Sequence, residues 1–247
     1  MKDGANHSRP WVAPELAGPD GLAGIGGDLR PATLLRAYSD GVFPWFGHGD
    51  PILWWSPDPR SVIELDELHV SRSLARTIRQ GKFRVTVNRA FGAVVRGCAT
   101  TRPDGTWITG PMVAAYETLH RLGHAHSVET WVREDTASGG REPPEFRSSG
   151  GSRPPLAEGD GWALAGGIYG VAIGALFAGE SMFFRVTDAS KVALVGLVER
   201  LRERSFKLFD VQMRTDHTAR MGATDVPRNE YLRRLREAVR RTSVRFG

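Results

Sequence analysis

The sequence holds a single cysteine, Cys98, which excludes an internal disulfide and suits a reducing cytosol. A cytoplasmic location is therefore the expectation. Long apolar runs are lacking as well: the stretch from Val192 to Val198 falls far short of the roughly 20 residues of a membrane span. The opening MKDGANHSRP has no apolar core of a signal peptide, so neither targeting nor membrane association is expected. Nucleotide-binding and serine-hydrolase signatures are missing too, with no G-x-x-x-x-G-K-[ST], no G-x-G-x-x-G and no G-x-S-x-G. His124 and His126 share one face of a predicted strand but lack an evident third ligand, which argues against a metal site. Cys98 with a distant histidine is too little to suggest a thiol nucleophile.

What remains is a globular composition, 40% hydrophobic and 25% charged over 247 residues, enough for one large domain or two smaller ones. The formal charge of +5 is concentrated rather than spread. Between residues 228 and 247, seven arginines (228, 233, 234, 236, 240, 241, 245) face only Glu230 and Glu237, which accounts for the whole excess. A second basic stripe lies in SRSLARTIRQGKFR. There Ser71 caps a predicted helix with Arg72, Arg76 and Arg79 at i, i+4 and i+7, Leu74 and Ile78 on another face, and Lys82 and Arg84 beyond. Such a stripe is either a solvated helix face or a contact for a phosphate backbone; two stripes favour nucleic acid.

The segment FPWFGHGDPILWWSPDPR, residues 43 to 60, sets Phe43, Trp45, Phe46, Trp54 and Trp55 among four prolines and two glycines. Proline and glycine oppose a continuous helix or central strand, so the rings are expected on a shaped loop. They either wall a binding site or plug the underside of a domain.

Before it, a helix is predicted with Asp28 as cap, Pro31 in the first turn, Leu34, Leu35 and Tyr38 on the buried face, and Gly41 as terminator. A domain boundary is expected at SPDPR. FRVTVN reads as strand, Phe91 to Cys98 as helix, and a further helix carries Met112, Tyr116 and Leu119 on one face. Between Arg133 and Gly161, 14 of 29 residues are Gly, Pro or Ser, which predicts a mobile hairpin excursion without chemistry. WALAGGIYGVAIGALFAGESMFF gives two strands turning near Gly174. DASKVALVGLVERLRERS is a helix capped by Asp188 or Ser190, and KLFDVQM is a short strand. Strands around helices, mixed with antiparallel hairpins, indicate an α/β or α+β chain.

Among polar residues, Asp210 and Gln212 sit two apart on that last strand and so share a face. Glu180 emerges from an apolar strand, a costly placement unless it is paired; it is a site residue or half of a structural ion pair.

These segments together resemble the leucyl/phenylalanyl-tRNA-protein transferase family. GGDLRPATLLRAYSDGVFPWF, DPILWWSPDPRSVI, LHVSRSL, GTWITGPMVAAYETLHRLGHAHSVE, GGIYGVAIGALFAGESMF, ASKVAL, FDVQM and DHTARMGA carry the resemblance, in order, over most of residues 21 to 225. The Gly/Pro/Ser-rich excursion is the departure. The resemblance implies an α+β (mixed α/β) chain with a small N-terminal domain (1–58) and a GNAT-like acyltransferase domain (59–247). It implies an aminoacyltransferase that needs no cofactor. The donor would be Leu- or Phe-tRNA, with Met tolerated. The acceptors would be proteins beginning with Arg or Lys, which are thereby marked for the N-end rule pathway. A monomer is expected.

By the same resemblance, Gln212 contacts the attacking amine and Asp210 holds and polarises its amide. Trp45, Trp107, Glu180 and Ser181 belong to the substrate site. Ile168, Phe177, Met182, Leu197 and Phe209 line an apolar pocket, and Arg72, Arg76, Arg79, Lys82 and Arg84 hold tRNA. Trp45 walls the cleft, while Trp54 and Trp55 pack the loop against the larger domain. An acetyl-CoA-dependent acetyltransferase would need a Gly-rich pyrophosphate turn, absent from GESMFFRVTDAS. A non-catalytic RNA-binding protein leaves Asp210 and Gln212 unexplained, and a peptide adaptor for basic N-termini would use Glu180 and need no tRNA.

Overall fold

The structure is a computed structural model that describes residues 9–100, 106–134 and 161–247. The Gly/Pro/Ser-rich excursion falls almost wholly in 135–160, outside the described residues.

A small sheet comes first. β1 (Leu22–Ile25), β2 (Phe43–Pro44) and β3 (Leu53–Trp55) pair antiparallel in the order β1-β3-β2, with α1 (Pro31–Asp40) between the first two. This corrects the expectation of a bare loop over 43–60, because β3 is the central strand there. Pro44 sits at the end of a two-residue edge strand, where a missing N–H is tolerated. Trp54 is fully buried on β3, tilted against Trp11 at 4.7 Å, and its indole N–H donates to the Gly26 carbonyl at 2.8 Å. Trp54 thus anchors the small sheet, and it belongs to the buried cluster that continues into the larger sheet through Tyr169, Ala178 and Phe183. Trp55 is half-buried, and its indole N–H donates to the Trp45 carbonyl at 2.7 Å.

α1 has Arg30, not Asp28, at its N-cap. The Asp28 carboxylate instead accepts from the Arg30 N–H at 3.0 Å and the Thr33 hydroxyl at 2.6 Å. Pro31 opens the helix and Gly41 closes it with φ 89°, the left-handed conformation that glycine adopts without strain. Leu34 and Tyr38 are buried, Leu35 half-buried.

The chain then changes sheets. β4 (Arg60–Ile63) enters a seven-stranded sheet with β5 (Arg84–Val87), β6 (Ala125–Arg133), β7 (Trp162–Ile173), β8 (Leu176–Phe184), β9 (Leu208–Gln212) and β10 (Ala223–Val226), in the order β10-β4-β9-β8-β7-β6-β5. Every neighbouring pair is antiparallel except β8 and β9. Parallel neighbours need a crossover, supplied by α5 (Ala189–Glu203). Its Val192, Leu194, Val195, Val198 and Leu201 are buried on one face of the sheet. Asp188 occupies the N-cap but makes no capping bond; its carboxylate accepts from Thr77 and Lys191, and Ser190 lies buried inside the helix.

On the opposite face lie α1, α3 (Phe91–Thr100) and α4 (Gly110–Arg121), whose Met112, Tyr116 and Leu119 are buried as the sequence pattern predicts. α7 (Arg228–Val239) packs Tyr231, Leu232 and Leu235 on the same side, beyond the short α6 (Asp216–Arg220). α2 (Arg72–Arg79) is capped by the Ser71 hydroxyl, which accepts from the Leu74 N–H at 3.3 Å, and Leu74 is its buried anchor. The molecule is therefore an α+β fold, a small sheet followed by a larger mixed sheet with helices on both faces.

Candidate active site

The functional cluster forms where α1, α4, β8 and β9 meet, and a β-bulge builds it. Tyr169 of β7 faces Ser181 and Gly170 faces Gly179, so Glu180 has no partner residue opposite. An extra residue in one strand re-aims the side chains around it. Phe177 and Met182, five positions apart, consequently reach the same α5-side core, while Ala178 and Phe183 join the other core. Glu180 itself turns toward α1 and α4.

There its Oε1 accepts from the Tyr38 hydroxyl at 2.7 Å and its Oε2 from the Tyr116 hydroxyl at 2.7 Å, while the two hydroxyls stand 2.7 Å from each other. Burial holds both tyrosine pKa values well above 10, aided by the Glu180 charge. Glu180 is half-buried as a residue, and its carboxyl oxygens lie among these rings. Desolvation pushes its pKa up to about 7 against the opposing tyrosine hydrogen bonds.

Gln212 ends β9 with φ 58°, a left-handed conformation uncommon for a side chain of its size. It is 8% exposed. Its Nε2 donates to Glu180 Oε1 at 3.4 Å, which leaves its side-chain oxygen without a hydrogen bond among the described residues.

Asp210 does not meet the Gln212 side-chain amide, as the sequence reading had it. Its Oδ1 accepts from the Gln212 backbone N–H at 2.9 Å. The remaining capacity of this buried carboxylate is taken by Arg60, at 2.9 Å from Nε and 2.6 Å from Nη2, and by the Tyr231 hydroxyl at 2.8 Å. Arg60 is sandwiched between the Phe43 and Tyr231 rings at 4.7 and 4.6 Å, and its Nη1 donates to the Gly41 carbonyl at 3.3 Å. Planar, bidentate and stacked, it is a placement that lysine would not fill. Asp210 therefore fixes the backbone on which Gln212 stands.

Ser181 is buried, and its hydroxyl finds no hydrogen-bond partner among the described residues. Ile168, Phe177, Leu197 and Phe209 are buried and Met182 half-buried in one apolar cluster, with Phe246 stacked on Phe177 at 5.3 Å. Trp45 is 38% exposed, edge-on to Trp55 at 5.8 Å, and Trp107 is half-buried against the α1–α4 core. No hydrogen bond or ring contact joins either tryptophan to Glu180 or Gln212 among the described residues. An apolar groove of about 420 Å³ beside α1 and α4, lined by Leu29, Pro31, Ile52 and Pro111, contains none of the expected residues.

Arg72, Arg76 and Arg79 are exposed on α2 and make no ion pair among the described residues. Lys82 lies 5.5 Å over Phe83 and Arg84 6.0 Å over Trp162. The C-terminal stripe differs. Arg233 pairs with Glu230 and Glu237, Arg234 with Glu64, Arg236 with Glu15, and Arg228 donates to the Ser56 carbonyl. Those four arginines are already engaged, whereas Arg240 and Arg241 beyond the helix are exposed without an ion pair among the described residues, so only the helical part of the second stripe is withdrawn from a free cationic surface. His126 meets Asn88 and stacks on Phe246, and burial lowers its pKa to about 4. No group of three or more His, Cys, Asp or Glu side chains among the described residues could hold a metal ion.

Sequence reasoning missed three members of this cluster. Tyr38 and Tyr116 stood out only as apolar helix positions, although a buried tyrosine hydroxyl needs a partner. Arg60 read as linker; no local signal marks it.

Residues 62–141 and 159–236 match the family model described as leucyl/phenylalanyl-tRNA protein transferase, and residues 27–58 match that of its N-terminal domain. The curated leucyl/phenylalanyl-tRNA–protein transferase of Anaeromyxobacter sp. (strain Fw109-5) is 52% identical over 94% of this chain and 88% of its own length. That of Shigella dysenteriae serotype 1 (strain Sd197) is 48% identical over the same shares. Among solved structures, L-PGS from Bacillus licheniformis aligns with a TM-score of 0.37 and 10% identity, covering 63% of this chain and 46% of that one, a likeness too low to refine the fold. With the family model over most of its length and such close relatives, the chain belongs to the leucyl/phenylalanyl-tRNA protein transferase family, a family of aminoacyltransferases.

Proposed function

We propose that this protein moves leucine or phenylalanine, with methionine tolerated, from aminoacyl-tRNA to the α-amine of proteins beginning with Arg or Lys. It thereby marks them for degradation by the N-end rule pathway. It works in the cytoplasm as a monomer, without a cofactor, through a small domain over residues 1–58 and a catalytic domain over 59–247. The observation that carries this reading beyond family membership is Gln212. Glu180 engages its amide nitrogen, which leaves the amide oxygen, at the end of β9, without a hydrogen bond among the described residues.

An aminoacyl ester is already activated, and a peptide α-amine has a pKa of about 7.7 to 8.0, so an appreciable fraction is neutral near pH 7.5. Positioning then supplies much of the acceleration. Gln212 accepts from and orients the amine, and Asp210 keeps the Gln212 backbone in place. Glu180, Ser181, Trp45 and Trp107 contact substrate. Ile168, Phe177, Met182, Leu197 and Phe209 select an apolar donor side chain; such a pocket distinguishes one methylene by about 1 to 3 kcal/mol. Arg72, Arg76 and Arg79, with Lys82 and Arg84, meet tRNA phosphates.

The experiment is transfer of labelled leucine from charged tRNA to an Arg-starting peptide, with acetyl-CoA and uncharged tRNA as controls. Label in the peptide only with charged tRNA, and only when the N-terminus is Arg or Lys, is the expected result. Acetyl transfer, or tRNA binding without transfer, would replace this reading.

A further inference from the structure

The contacts among Glu180, Tyr38 and Tyr116 form a closed triangle of three short oxygen–oxygen approaches, each 2.7 Å. A hydrogen bond needs a proton between its oxygens, so three such contacts need three protons. With Glu180 ionised, the two tyrosines supply only two. Both hydroxyls then point at the carboxylate, and the Tyr38–Tyr116 contact is left as two facing lone pairs. With Glu180 protonated the triangle closes: Glu180 Oε2–H donates to Tyr116, Tyr116 to Tyr38, and Tyr38 to Glu180 Oε1, which also accepts from Gln212. The ring is one proton short in its charged state and complete in its neutral state.

Resting on the transfer reaction above, we propose that Glu180 is the proton acceptor for the attacking amine, with Tyr38 and Tyr116 as the positioning residues that make it ready to receive a proton. The neutral amine adds to the ester carbonyl carbon; the C–N bond forms and the C–O bond to the tRNA ribose breaks. One amine proton passes through a bridging water to the Glu180 carboxylate, and the resulting carboxylic acid returns it by the same route to the departing ribose oxygen. The Gln212 amide joins the two groups: its Nε2 lies 3.4 Å from Glu180 Oε1 while its oxygen takes the amine, and one water between amine and carboxylate completes the proton's path. The groups that bear on Glu180 come from four elements. They are Tyr38 on α1, Tyr116 on α4, Asp210 and Gln212 on β9, and Arg60 on β4, whose cation is committed to Asp210. Its pKa near 7 leaves it substantially ionised, and so able to accept, at the pH where the amine begins to lose its own proton.

The test is the pH dependence of single-turnover transfer to a saturating Arg-starting peptide. In the wild-type enzyme both the amine and Glu180 must be unprotonated, so the logarithm of the rate falls with a slope of two below pH 7. Glu180→Gln preserves the ring, because its amide donates to Tyr116 and accepts from Tyr38. It should therefore fold and melt no lower than the wild type, yet transfer at least tenfold more slowly at pH 8 and with a slope of one. Tyr116→Phe should keep the slope of two with its lower limb displaced by at least half a pH unit. A Glu180→Gln enzyme with unchanged rate and slope, or a Tyr116→Phe enzyme with an unmoved limb, would overturn the assignment. A wild-type enzyme that transfers nothing would instead sink the reaction on which it rests.

Discussion

At the end of β9 the two polar residues of FDVQM do different things. Gln212 presents an amide oxygen with no hydrogen bond among the described residues, and Asp210 presents nothing, since every acceptor site of its carboxylate is filled. Gln212→Ala should accordingly lower turnover much more than it weakens tRNA binding, measured by single-turnover transfer beside a filter-binding titration; unchanged transfer would remove Gln212 from the chemistry. Asp210→Asn should act first on stability. It leaves the Arg60 guanidinium buried without its counter-charge, a loss of about 3 to 5 kcal/mol, read in a denaturant titration. The sequence showed these two residues as a pair but not their division, because the deciding partner, Arg60, lies 150 positions away. Neither residue's local pattern encodes it.

Elements were legible where periodicity and caps agreed. α4 showed its face in Met112, Tyr116 and Leu119, and α2 its cap in Ser71. β3 was illegible because flanking prolines suggested a loop, and the bulge at Glu180 because a two-residue period carries no mark of an inserted position. These outcomes redistribute the roles of the tryptophans. Trp54→Ala removes a fully buried ring from the centre of the small sheet and should cost about 3 to 5 kcal/mol. Trp45→Ala, on a half-exposed ring, should impair substrate use with little change in melting temperature; the reverse pattern would return both to packing. The basic elements separate in the same way. Arg72→Ala and Arg76→Ala should each lower the salt slope of tRNA binding by roughly one unit. Arg233→Ala on α7, already paired twice, should leave the slope alone. Equal effects at all three positions would mean that the stripe on α2 has no special role.

For the molecule as a whole, the site and the fold are tied through buried titratable groups, and their pKa shifts run in opposite directions. Glu180 is raised from 4.5 to about 7 by burial. The folded state thus binds its proton more tightly than the unfolded chain. The associated stability is fully present below pH 4.5 and is lost as pH rises through about 7. At about 1.4 kcal/mol per unit, that loss reaches no more than about 3.5 kcal/mol, and less to the extent that solvent screens a half-buried residue. His126, lowered from 6.5 to about 4 by burial, works the other way: its contribution is lost as pH falls through that window. Between pH 4.5 and 6.5 the two offset each other, and the wild-type protein should show little slope from this pair. Glu180→Gln lifts the offset. Subtracting the stability of Glu180→Gln from that of the wild type, at each pH from 5 to 8 in denaturant titrations, isolates the carboxyl group. The difference should fall steadily up to pH 7 and then level off. A difference independent of pH would mean that Glu180 is ionised throughout, and that its surroundings are wetter than the ring of tyrosines implies.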